Sequence, residues 1–115
     1  MRRDMDLVRK LLLEAETIPP YEIGSFGVDD VDPLVVTAHI ELMQEAGLLE
    51  ADFLSGPVAH VQRLTWFGHD FLDSIRDDST WSKVKSRVAE SVGTVSFDVL
   101  VALAIAVAKD KLNLQ

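Results

Sequence analysis

The feature that most constrains this chain is the stretch 32–72, where a short helix, a two-stranded ribbon and the start of another helix follow one another with clear punctuation. Asp32 can cap the free N–H groups of a first helical turn, and Pro33 stands at the first helical position, where its missing N–H costs nothing. Val31, ahead of the cap, can close on Val36 as a hydrophobic staple. Val36, Ile40 and Met43 recur at spacings of four and three and define one apolar face. Gly47 follows where the chain must leave the helix through a left-handed residue, and Leu48 and Leu49 re-enter the core. Glu50 to Leu54 and Val58 to Leu64 read as short strands joined by the turn cluster Ser55-Gly56-Pro57. Thr65 can cap the helix that begins Trp66-Phe67-Gly68-His69.

This succession predicts a mainly α fold with a small β ribbon, an abbreviated winged helix-turn-helix plus two C-terminal helices. The helix ending in Glu45-Ala46-Gly47-Leu48-Leu49, the ribbon, and Leu64-Thr65 followed by Gly68 resemble many bacterial winged-helix regulators. The motif is abbreviated because residues 24–31 are too short and too rich in glycine and aspartate for a full helix ahead of the reading helix. An opening helix from Asp4 or Asp6 to Glu16 carries a stripe of Leu7 or Val8, Leu11, Leu12 and Ala15, and Pro19-Pro20 ends it. Tyr21-Glu22-Ile23 is the expected first strand. Val36, Ile40, Met43, Leu48, Leu64, Phe67 and Phe71 are expected to cluster with Leu11 and Leu12, and Gly68 to let another backbone approach. The chain reads as a single domain, 1–115, with a winged-helix core over 1–76 and a helical extension over 77–115.

In the extension, Asp77-Asp78-Ser79-Thr80 breaks the chain and caps a helix from Trp81 to Ser91, which carries Trp81, Val84 and Val88 on one side. Gly93 stops that helix, and Ser96 caps the last, Phe97 to about Leu112, with Asp98 at its positive end and Lys109 and Lys111 at its negative end. Val99 to Ala108 is apolar on every side, so the helix is either wrapped by its own chain or shared with a second copy. A two-fold dimer would use Leu100, Leu103 and Val107, with the intervening alanines allowing close approach. The only candidate for a membrane segment, Val95 to Ala108, is interrupted by Asp98 and ended by Lys109, short of the roughly 20 apolar residues that spanning requires.

Cysteine is absent, which excludes disulfides, thiolate metal sites and a cysteine nucleophile. The opening Met1-Arg2-Arg3-Asp4-Met5-Asp6 puts acids where an export signal would begin its apolar run, so a cytoplasmic location is expected. The net charge of −8 is unevenly spread. Between Asp29 and Asp52 lie seven acids (Asp29, Asp30, Asp32, Glu41, Glu45, Glu50 and Asp52) and no lysine or arginine, whereas residues 81–115 hold five basic residues and three acids. The reading helix is thus the most acidic part of the chain.

A closer resemblance rests on Arg2 to Lys10, His39 to Ala51, the run Arg63-Leu64-Thr65-Trp66-Phe67-Gly68-His69-Asp70-Phe71-Leu72-Asp73-Ser74-Ile75-Arg76-Asp77-Asp78, and Ser96 to Leu100. Together they resemble an uncharacterised bacterial and prophage family, the domain of unknown function numbered 2513. That resemblance implies a phage-associated setting and brings no catalytic or binding residues with it.

Enzyme chemistry has little support, so no catalytic residues and no cofactor are expected. Gly24-Ser25-Phe26-Gly27 lacks the lysine of a phosphate loop and reads as a turn. Asp29-Asp30 and Asp77-Asp78 read as solvated caps. His39 and His69 could meet beneath the wing with Asp70 or Glu41 nearby, but no His-x-x-x-His or His-x-His spacing fixes two ligands on one element. Packing histidines and no metal are therefore expected. Trp66 and Trp81 read as core or interface anchors.

Two function classes stand nearly level, with the DNA-binding regulator first and the acidic protein-binding module, an inhibitor or DNA mimic, as the alternative. In the first, the chain is a DNA-binding regulator: Thr37, Ala38, Glu41 and Gln44 face the major groove, His60, Gln62 and Arg63 on the wing touch the backbone, and Arg2 and Arg3 add cations. The charge opposes this, because phosphate neutralisation by lysine and arginine supplies most non-specific affinity and the helix offers none. In the second, the seven acids form a face for a basic, nucleic-acid-binding protein partner.

Overall fold

The computed structural model describes residues 1–53, 58–91 and 95–112. These contain α1 (Met5–Glu16), α2 (Pro33–Glu45), β1 (Leu49–Asp52), β2 (His60–Leu64), α3 (Trp66–Ile75), α4 (Asp78–Ser91) and α5 (Phe97–Lys111). The architecture is mainly helical with one antiparallel two-stranded ribbon. The expected turn at Ser55-Gly56-Pro57 and the helix stop at Gly93 lie outside the described residues. The chain forms two compact units, Met1–His69 and Asp70–Gln115, whose boundary falls inside α3.

In the first unit each helix starts where a side chain replaces a missing backbone acceptor. The Asp4 carboxylate accepts from the N–H groups of Asp6 and Leu7, at 3.0 and 3.2 Å, and opens α1. The stripe Leu7, Val8, Leu11, Leu12 and Ala15 is buried, and α1 packs on α2 and β2. Asp32 opens α2 by accepting from the Leu34 N–H at 2.8 Å, with Pro33 in the first turn. Its exit is a Schellman turn: Leu48 N–H donates to the Met43 carbonyl at 2.9 Å and Gly47 N–H to that of Gln44 at 3.0 Å. Gly47 has the left-handed φ of 79° that this closure requires.

That turn sends Leu48 and Leu49 into the core and delivers the chain to β1. Register runs from Leu49↔Leu64 to Asp52↔His60, but Ala51 pairs with Val61 while Glu50 pairs with Arg63, so β2 carries one extra residue. The resulting bulge explains why Val61 and Leu64, three apart, are both buried while Gln62 and Arg63 between them are exposed. Beyond the ribbon, the Thr65 hydroxyl donates to the Gly47 carbonyl and accepts from the Gly68 N–H at 3.0 Å, capping α3. A Cβ on Gly68 would lie 1.9 Å from the Leu48 carbonyl oxygen, so the close approach expected at this glycine occurs.

Three details differ from expectation. Tyr21-Glu22-Ile23 is not a strand; one bridge, Gly24↔Val61, with both N–H···O bonds at 2.8 Å, is all that pairs there. Glu22 N–H instead donates to the Pro19 carbonyl at 3.1 Å, so Pro20 and Tyr21 occupy a tight turn that turns the segment away from the ribbon. Phe67, expected in the core, is 39% exposed. Contact of Gly68 with the Leu48 backbone fixes the inward line of the first turn of α3, and Phe67 lies about 100° to one side of it. Finally, α4 begins at Asp78 rather than Trp81, because Asp77 caps it from outside.

In the second unit Phe71, Leu72, Ile75, Trp81, Val84, Leu100, Ala104 and Val107 are buried, and α4 packs on α5. The Phe71 and Phe97 rings meet edge to face, centroids 5.2 Å apart at 72°. Ser96 caps α5 through the Val99 N–H at 3.4 Å. Lys111, in the last turn of α5, bonds Asp77 and Ser79 at the start of α4, and Arg87 lies 3.8 Å from Asp110. The Lys111 ammonium and then the Ser79 hydroxyl hold the Asp77 carboxyl well below the usual carboxylate range.

Candidate binding surfaces

Of the residues expected from sequence to meet DNA, Gln44, Gln62 and Arg63 bond within the chain, whereas Arg2 and Arg3 are exposed. The Gln44 amide oxygen accepts from the Ala51 N–H at 2.6 Å, tying α2 to β1. Thr37 is half-buried. On the ribbon, Arg63 makes a two-pronged pair with Glu50, Nη2 to Oε1 at 2.8 Å and Nε to Oε2 at 3.1 Å, and Nη1 also donates to the Leu64 carbonyl at 3.2 Å. Gln62 reaches Asp52 at 3.4 Å. His60 is half-buried, and its Nε2 lacks a hydrogen-bond partner among the described residues. Arg2 and Arg3 are exposed ahead of α1.

Of the seven acids, Asp32 caps α2, Glu50 holds Arg63 and Asp52 accepts from Gln62. Asp29, Asp30, Glu41 and Glu45 are exposed, and among the described residues none of them meets a cation. Glu41 and Glu45 stand one turn apart on the outer face of α2, where like charges repel. The uncompensated charge therefore lies on α2 and at Asp29 and Asp30 ahead of it.

His39 is fully buried, and both ring nitrogens are used locally. Nδ1 donates to the Val35 carbonyl at 2.8 Å, and Nε2 accepts from the Asp4 N–H at 2.9 Å, which locks the start of α1 to α2. It packs as expected, and its nitrogens are not available to a metal in this fold. Among the described residues no three His, Asp or Glu side chains converge as a ligand set. None of the described helices is long and apolar enough to cross a membrane.

Of the dimer residues named from sequence, Leu100 and Val107 are buried within the chain and only Leu103 is partly open. They face the packed side of α5; the side left open carries Val99, Ala102, Ile105 and Ala106. An all-apolar helix gives no sign of which side its own chain will cover.

Sequence reasoning missed one surface. Between the end of α1, the 18–23 segment, the outer face of the ribbon and the first turn of α3 lies an open groove of about 1060 Å³. Trp66 stands on it 83% exposed, so this anchor is not core, whereas Trp81 is buried. Tyr21 is fully exposed and Ile23 is 61% exposed. The signal was the segment Ile18 to Ile23, whose two prolines bar a helix and whose Tyr21 and Ile23 find no partner strand, so apolar side chains are left with no face to hide on.

The described features define a class: a mainly helical protein with a two-stranded ribbon and open surface sites. More narrowly, the chain belongs to the family described as "Hypothetical protein (DUF2513)", which matches residues 2–95. It is 36% identical over 106 residues, 87% of this chain and 89% of the other, to a Haemophilus influenzae (strain Rd) protein described as "Uncharacterized protein". No solved structure matches it.

Proposed function

We propose that this is a non-enzymatic, winged-helix-like binding module of the bacterial cytoplasm whose partner is a basic protein, in a phage or prophage setting. The winged-helix reading is supported by the order α1, Gly24 bridge, α2, β1, β2, in which the bridge to Val61 stands for the first strand of the wing sheet. The observation that carries the partner class is the pairing of Arg63 with Glu50. The wing's cation is already neutralised, while Glu41 and Glu45 on the outer face of α2 are not. Bringing DNA phosphates to that face would oppose like charges, and bringing lysine or arginine side chains there would satisfy them.

The second reading, a DNA-binding regulator, is favoured by exposed Arg2 and Arg3, which meet no acid among the described residues. A gel shift against random duplex DNA at low salt separates the two. No retardation is expected; retardation that weakens with added salt and is lost in the Arg2→Ala, Arg3→Ala double variant would overturn the protein-partner reading. Glu41→Lys is expected to create DNA affinity that the wild type lacks.

A further inference from the structure

Three features of the first unit converge on the groove. The first is backbone strain. Tyr21 has φ 63°, the left-handed region, at the second central position of the Pro19–Glu22 turn, where glycine or asparagine is favoured. A bulky residue is held there with its ring wholly in water, so neither burial nor local geometry accounts for it. The second is aromatic exposure: Trp66, in the first turn of α3, lines the same groove, and exposed Ile23 adds apolar surface. The third is charge. Arg63 is the sole lysine or arginine on the groove wall and is held by Glu50, whereas Glu22 meets no cation among the described residues. The unit as a whole has twelve acids against five lysines and arginines.

We infer that this groove docks an extended segment of a protein partner in which arginine or lysine alternates with apolar side chains. The inference rests on the basic-partner reading above and adds to the acidic face of α2 a second surface for the same partner. Tyr21 and Trp66 present ring faces to the cationic side chains, Glu22 takes one charge, and Ile18 and Ile23 receive the apolar positions. The groove is open and at the upper end of small-molecule pocket size, which suits several side chains of a chain laid across it.

The test titrates the isotope-labelled 115-residue chain with a twelve-residue peptide alternating arginine and leucine, and with its glutamate–leucine counterpart. The arginine peptide is expected to shift the Trp66 indole N–H and the amides of Tyr21, Glu22 and His69, and the glutamate peptide to leave them unmoved. Trp66→Ala should weaken binding at least tenfold. Tyr21→Gly should weaken it too while leaving the protein as stable as wild type or more so, a combination that a merely structural tyrosine would not give. Shifts confined to Glu41 and Glu45 would overturn the groove and leave the basic-partner reading standing. Equal binding of both peptides, or of neither, would overturn the groove assignment, and the DNA gel shift tests the broader reading independently. A dimer of the free protein that Trp66→Ala dissociates would make a second copy the occupant and likewise overturn it.

Discussion

Gly68→Ala sets two effects of opposite sign against each other. In an exposed helix, alanine in place of glycine stabilises by about 1 kcal/mol, so propensity alone makes the variant a gain. At this position the new Cβ would lie 1.9 Å from the Leu48 carbonyl oxygen and 2.9 Å from its carbon, and both belong to backbone that cannot rotate aside. The same oxygen accepts from the Thr65 N–H at 3.1 Å, and the Gly68 N–H donates to the Thr65 hydroxyl at 3.0 Å. Relieving the contact needs a shift of more than about 1 Å, which strains the packing by about 1–3 kcal/mol. It also weakens two hydrogen bonds worth about 1 kcal/mol each. The net expectation is a loss of about 2–3 kcal/mol, read as a lower urea midpoint by circular dichroism and by the fluorescence of buried Trp81. Gly27→Ala, whose Cβ would meet nothing within 4 Å, serves as the control and should be near neutral. A Gly68→Ala protein as stable as wild type would refute the close approach of the Leu48 backbone to Gly68.

Other expectations follow from the same contacts. His39→Leu deprives the Asp4 N–H of its acceptor and the Val35 carbonyl of a donor. It should cost about 1–3 kcal/mol and speed amide exchange at the start of α1, and unaltered exchange would argue against the lock. Because Lys111 and then Ser79 lower the folded-state pKa of Asp77, its contribution is complete above about pH 4 and is lost as pH falls below that. Asp77→Asn should therefore flatten the acid limb of the stability curve, and an unchanged limb would contradict the pairing. Self-association, if α5 mediates it, uses the face of Val99, Ala102, Ile105 and Ala106. Sedimentation should show a wild-type dimer and a folded Ile105→Glu monomer; a monomeric wild type at tens of micromolar would mean that this face pairs with nothing.

Much of the fold was legible because its signals are local. Asp4, Asp32, Thr65 and Ser96 cap helices through their own neighbours, and Gly47 is demanded by a turn that spans six residues. The stripes of α1 and α2 repeat at the helical period, so their buried faces could be read without a partner in view. Gly68 was legible as a place of close approach, but only the folded chain showed that Leu48 is what approaches it.

What the tertiary structure decided depends on groups far apart in sequence. The Arg63–Glu50 pair and the Gln44–Ala51 bond follow from strand register and the Schellman exit, and neither has a signature in the residues themselves. The bulge in β2 reversed the alternation that would have faced Arg63 oppositely to Gln62. On α5 every side was apolar, so periodicity could not choose between them; packing on α4 covered Leu100 and Val107 and left Ile105 out. The groove exists because the Pro19–Glu22 turn, the ribbon and α3 converge, leaving Tyr21 and Trp66 on one surface although 45 positions separate them.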